Sequence, residues 1–170
     1  MNILEFNSTR KRMSVVVEDP QGEYILLTKG ADSIIKERLN MYASPFFKDS
    51  QTSVDAFAEE GLRTLFLAKR KLTKNEYLDW NAKYEAAMQT ISNRDDEVAA
   101  VNEQIEVRLE LVGSTAIEDK LQEGVPDTIK FIKDAGVKVW VLTGDKVETA
   151  INIGFSSALL DSSMQQYHLT

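Results

Sequence analysis

The sequence predicts an α/β protein in two parts. An α+β portion built on an antiparallel sheet comes first, and the beginning of a parallel α/β portion follows. Three observations carry this. Two β-rich runs, 13–18 and 23–28, flank Asp19-Pro20-Gln21-Gly22, whose turn chemistry closes a hairpin. Residues 74–107 are dominated by helix formers. The last third then alternates strand, helix, strand, helix, the pattern of a doubly wound sheet.

The elements follow in order. After the hairpin and Lys29-Gly30, residues 31–39 place Ile34, Ile35 and Leu39 at helical spacing, with Asp32 or Ser33 as the cap. A second helix spans 53–60 and is stopped by Gly61, and 64–68 is a short buried strand. Ser92-Asn93 divides 74–107 into a helical hairpin, on which Trp80, Tyr84 and Met88 share a packing face and the acidic stretch from Asp95 to Glu110 forms a polar face. Residues 108–112 form a strand, and Pro126 opens a helix that runs to Asp134-Ala135-Gly136. Residues 137–142 are apolar without alternation, as in a parallel strand covered on both faces, and a last helix runs over 147–160. The two portions join near 113–121.

Composition narrows the chemistry. Of 170 residues, 27 are acidic and 20 basic, a formal charge of −7 that repels nucleic acid and anionic membrane surfaces. There is no cysteine, which removes disulfides, thiolate zinc sites and cysteine nucleophiles and fits a reducing compartment. The lone histidine, His168, leaves no paired-histidine metal site and argues against a Ser-His-Asp triad, so no metal ligand is assigned. Apolar runs reach four residues where a membrane span needs about 20, and no apolar signal region opens the chain. The expectation is a soluble, cytosolic polypeptide.

Five places carry groups suited to chemistry. Thr143-Gly144-Asp145 ends the expected parallel strand, where open α/β sheets bind ligands, and a following helix N-terminus favours a phosphoryl oxygen. The plainer account is a tight turn at Gly144 and a helix cap at Asp145. Phe6, followed by Ser8 and Arg10-Lys11-Arg12, offers an aromatic face beside cations, which suits a stacked base, or equally a core phenylalanine beside a solvated charge run. Lys29-Gly30-Ala31 sets a lysine at a strand end beside small residues that admit a ligand. Arg63 is a fork donor for a phosphate or for a carboxylate. Asp119, within Glu118-Asp119-Lys120, could accept from a ribose hydroxyl or belong to a solvated linker.

Taken together, the strings Phe6-Asn-Ser-Thr-Arg-Lys-Arg-Met-Ser-Val15, Lys29-Gly-Ala-Asp32, Gly61-Leu-Arg-Thr-Leu65, Thr115-Ala-Ile-Glu-Asp-Lys-Leu-Gln122 and Leu142-Thr-Gly-Asp-Lys-Val-Glu-Thr-Ala150 occur in one order. That order resembles the cytoplasmic region of type-IV P-type ATPases, the phospholipid flippases, from about Phe6 to Leu160. The resemblance implies that 1–112 is the C-terminal part of a nucleotide-binding domain. It implies that 113–170 begins the returning phosphorylation domain, of the haloacid-dehalogenase-like α/β type. It also implies that Phe6 stacks adenine with Ser8 and Lys11 in the same pocket, that Lys29 lies at the pocket base, and that Arg63 reaches the phosphates. Asp119 would stand at the hinge near the sugar, and Thr143, Gly144 and Asp145 would surround the transferred phosphoryl group. ATP and Mg2+ are the implied cofactors. A phospholipid and an accessory subunit are implied partners of the intact protein, which would be a multi-pass membrane protein with this segment on the cytoplasmic side.

No Asp-Lys-Thr-Gly-Thr string and no Asp-Gly-x-Asn-Asp string is present. The resemblance therefore puts the phosphorylated aspartate outside this chain, which alone should neither hydrolyse ATP nor move lipid. An incomplete sheet edge would also invite strand exchange with a second copy. Two other readings stand beside this one: a soluble haloacid-dehalogenase-type phosphatase, which needs its own aspartate nucleophile, and an acidic interaction module without catalysis.

Overall fold

The computed structural model describes residues 2–118, 120–145 and 147–167. Asp119 and His168 lie outside the described residues. The described chain packs as two compact units. One holds the residues up to Val54 together with Leu65–Thr115; the other holds Asp55–Thr64 and the residues from Ala116 onward.

The first unit is organised by an antiparallel sheet. Strands β1 (Asn2–Leu4), β2 (Arg12–Glu18), β3 (Tyr24–Gly30), β4 (Arg63–Leu72) and β5 (Glu110–Ile117) lie side by side in sequence order. The β2–β3 hairpin closes where expected. Asp19 Oδ1 accepts the N–H groups of Gln21 and Glu23, both at 2.9 Å, so the turn is held by an aspartate side chain. Register sets Arg12 opposite Gly30, Met13 opposite Lys29 and Lys29 opposite Leu67.

Side-chain alternation divides the sheet into two faces. Ser14, Val16, Leu26, Thr28, Phe66, Ala68 and Leu72 are buried. They pack with helices α1 (Asp32–Lys36), α3 (Lys74–Gln89) and α4 (Arg94–Ile105) into a core that includes Ile35, Trp80, Ile105 and Leu109. Trp80 Nε1 donates to the Val101 carbonyl at 3.0 Å and its ring stacks on Tyr84, so the expected packing face of α3 joins the core. Met88, at the end of that face, is 38% exposed. The α3–α4 hairpin breaks at 90–93, as the sequence predicts.

Several boundaries differ from expectation. Ala31 is the N-cap of α1, with no side-chain cap, and Asp32 is already helical. Helix α2 (Phe47–Glu59) begins six residues earlier than predicted, because Phe47 and Val54 both turn into the core. Gly61, at φ +82°, ends it as expected: Leu62 N–H reaches the Phe57 carbonyl at 3.0 Å and Gly61 N–H reaches that of Ala58 at 2.9 Å, a Schellman closure. Strand β4 continues through Lys69-Arg70-Lys71 because Arg70 lies on the core side, bonded to the Ile105 carbonyl and to Glu76, while Lys69 and Lys71 alternate outward.

The second unit contains α5 (Val125–Asp134) and α6 (Val147–Ser156), both near their predicted positions. Residues 137–142 form no strand. Trp140 and Leu142 are 83% and 98% exposed. Apolar composition suggested burial, but a parallel strand needs ladder partners along its edges, and among the described residues none pairs with this segment. No helix of the described residues is long and apolar enough to cross a membrane.

Candidate nucleotide site

The sequence-predicted residues fall into two groups, one in each unit. In the first, the loop before β2 carries Phe6 and Ser8, both exposed. The loop is folded on Asn7, whose Oδ1 accepts the Arg10 N–H at 2.7 Å and whose carbonyl accepts the Lys11 N–H at 2.9 Å. Lys11 is exposed and lies at φ 48°, an uncommon conformation for a residue with a side chain. Its carbonyl accepts the Ala31 N–H at 3.0 Å, which brings Lys11 to the same corner as Lys29-Gly30-Ala31. Lys29 projects from the sheet face opposite the core, between Met13 and Leu67. There it lines a cavity of about 420 Å³ with Met13, Val15, Leu27, Leu67 and Val112. A mostly apolar concavity with one lysine suits a flat heterocycle bearing an anion.

The basic run is not a solvated patch. Only Lys11 faces outward; Arg10 and Arg12 are buried. Glu106, with 0% exposure, accepts from Arg10 Nη2 at 2.5 Å, Arg12 Nε at 2.8 Å and Ser14 Oγ at 2.5 Å. Glu103 bonds Arg12 and Arg38. Burial pushes the Glu103 carboxyl up, but the two guanidinium bonds outweigh it and hold it below its usual range. The expected polar face from Asp95 to Glu110 therefore needs correction: Asp95, Asp96 and Glu97 are exposed, while Glu106 turns inward. Strand alternation was the available signal, since Arg12, Ser14 and Val16 must share a face.

In the second unit, Arg63 Nη2 meets Asp145 Oδ2 at 3.0 Å. Thr143 Oγ1 donates to the same carboxylate oxygen at 2.7 Å and accepts the Asp145 N–H at 3.1 Å. The Thr143 hydrogen bond holds the Asp145 carboxyl below its usual range; partial burial opposes it, and Arg63 adds to the lowering. Arg63, Thr143 and Asp145 thus converge, with the Arg63 guanidinium on a carboxylate, one of the two partners its fork geometry suits. Gly144 does not adopt a left-handed conformation, and a Cβ there would meet nothing within 4 Å, so neither backbone conformation nor close approach requires a glycine at this position. Among the described residues no group of three or more His, Asp or Glu side chains converges on a metal position.

Comparison with known proteins identifies the family. Residues 1–124 match the family described as P-type ATPase, cytoplasmic domain N. The chain is 54% identical over 165 residues to phospholipid-transporting ATPase dnf2 of Schizosaccharomyces pombe, covering 96% of this chain and 12% of that protein. It is 49% identical over 167 residues to phospholipid-transporting ATPase 10 of Arabidopsis thaliana, covering 98% and 14%. It is 49% identical over 164 residues to phospholipid-transporting ATPase DRS2 of Saccharomyces cerevisiae, covering 96% and 12%. The chain thus spans 12% to 14% of the length of these curated relatives. With nearly three-quarters of its residues inside the matched region, the chain belongs to the family of P-type ATPase cytoplasmic N domains.

Proposed function

We propose that this chain is the nucleotide-holding cytoplasmic segment of a phospholipid-transporting P-type ATPase. The observation that carries the reading is the placement of Lys29 in an apolar cavity of the sheet, with Lys11 held at the neighbouring corner, in a chain about half identical to phospholipid-transporting ATPases. Adenine stacks on Phe6, with Ser8 and Lys11 beside it and Lys29 at the base of the pocket. Arg63 meets the phosphates. Thr143, the open backbone at Gly144 and Asp145 surround the phosphoryl group, and Asp119 serves as hinge.

ATP supplies the phosphoryl group, and Mg2+ accompanies it in the intact protein. Positioning and charge stabilisation are what these residues contribute to phosphoryl transfer. Residues 1–112 act as part of the nucleotide-binding domain and 113–170 as the start of the phosphorylation domain. In the intact protein, ATP hydrolysis through an aspartyl-phosphate outside this chain drives lipid translocation across a membrane, with this segment on its cytoplasmic side. Phospholipid and an accessory subunit engage the intact protein, while the sheet edges β1 and β5 are where a second copy would pair.

The test is an NMR titration of the chain with ATP, with and without magnesium, repeated on Phe6→Ala and Lys29→Ala. One stacked base and a few screened cationic contacts predict a Kd between about 1 mM and tens of micromolar. Saturable binding that weakens in both variants supports the reading. Binding unchanged in the variants overturns the pocket.

A further inference from the structure

We infer that Glu106 is a positioning residue for the nucleotide site, acting through Arg10 and Arg12 on the loop that carries Phe6, Ser8 and Lys11. The inference rests on the reading that this loop touches nucleotide. Glu106 is fully buried at the C-terminal end of α4, distant in sequence from the loop it controls. Both of its oxygens are engaged: Oε1 by Arg10 and Ser14, Oε2 by Arg12.

Arg10 passes the constraint on. Its Nη1 donates to the Glu5 carbonyl at 2.6 Å, and its backbone N–H closes on Asn7 Oδ1, so Phe6 and Ser8 sit within a loop fastened at Glu5, Asn7 and Arg10. Arg12 fixes the other side. With both neighbours drawn inward to one carboxylate, Lys11 is left to project outward, and its φ of 48° is a conformation that a non-glycine residue keeps only when its surroundings hold it.

Stability alone does not account for the arrangement. Buried ion pairs give back in Coulomb attraction about what they lose in desolvation, and apolar residues would fill the space as well. What the triad supplies is a defined geometry for 10–12. Without the Glu106 charge, two buried guanidiniums face each other, with Glu103, which is half exposed, as the remaining carboxylate on Arg12. Repulsion then drives Arg10 outward and releases the loop.

The experiment compares the 170-residue chain with Glu106→Gln, Arg10→Gln, Trp80→Phe and Lys29→Ala by amide exchange and by ATP titration in NMR. Arg10→Gln keeps the Arg12–Glu106 pair balanced and decides the matter alone if Glu106→Gln does not fold. In both loop variants the Lys11 amide should exchange faster while Leu26 and Phe66 stay protected. ATP should bind about three- to tenfold more weakly, because ordering the loop is then drawn from binding. Trp80→Phe removes the hydrogen bond to the Val101 carbonyl elsewhere on the same helical hairpin; it should lower the melting temperature and leave both the loop and ATP affinity unchanged.

A loop that stays protected in Arg10→Gln overturns the inference. So does a loosened loop with parental ATP affinity. Lys29→Ala separates the two claims. Affinity lost there but kept in Arg10→Gln overturns the role of Glu106 alone. Affinity unchanged in Lys29→Ala, or no ATP binding by the parent chain, overturns the nucleotide reading and this inference with it.

Discussion

Replacing Gly30 with alanine should open the corner at which Lys11 and Lys29 meet. A Cβ at this position would lie 2.7 Å from Arg12 Cβ, 2.8 Å from the Lys11 carbonyl oxygen and 3.0 Å from Arg12 Cα. None of these is the end of a flexible side chain, so relief must come from moving β2 away from β3 by some 0.6–0.7 Å to reach ordinary contact near 3.4 Å. Overpacking of this kind costs about 1–3 kcal/mol. The lower chain entropy of unfolded alanine returns roughly 0.4–1 kcal/mol. A net loss of about 1–2 kcal/mol lowers the melting temperature by about 2–8 °C at this chain length. Urea unfolding followed on β2 and β3 amides gives the free energy, and exchange of the Ala31 N–H, bonded to Lys11 O, reports the corner itself. Gly113→Ala is the matched control. It makes the same chemical change in β5 with nothing within 4 Å of the new Cβ, and it should be neutral or stabilising. A Gly30→Ala chain as stable as the parent, with Ala31 still protected, would refute the close-approach argument.

Two further outcomes follow from the geometry. Phe66 is fully buried and meets Phe47 edge-on, so Phe66→Ala should cost about 3–5 kcal/mol and bring the first unit near its unfolding threshold, measured by denaturant titration. Thr143→Val should raise the Asp145 carboxyl toward its ordinary value, read by carbon-detected NMR titration. Because that carboxyl titrates low in the folded chain, its stabilising contribution is present above the ordinary carboxylate range and disappears as pH falls through the lowered value. Parent and variant stabilities should therefore converge in acid, and a difference that persists there would show that the hydroxyl acts by some other route.

The candidate site was legible to the extent that its residues are local. Phe6, Lys11, Lys29, Arg63 and Thr143-Gly144-Asp145 stand out because each lies in a short motif whose chemistry is written in adjacent positions. The hairpin, the helical hairpin and the Gly61 stop were legible for the same reason: turn residues, helix formers and a left-handed glycine act on their immediate neighbours. Glu106 was not. Its partners Arg10, Arg12 and Ser14 lie more than ninety residues away, and a glutamate near the end of a charged helix reads as solvated until the fold turns it inward.

The same limit decided residues 137–142, where apolar character predicts a covered strand but only neighbouring strands can make one. By itself, then, the sequence determined the order and kind of most elements, the family motifs and the side chains of the candidate site, because these depend on local preference and pattern. Tertiary structure alone decided which charges are buried, which strand edges find partners and which lysine faces outward. Burial and pairing are properties of residues far apart in the chain and close in space.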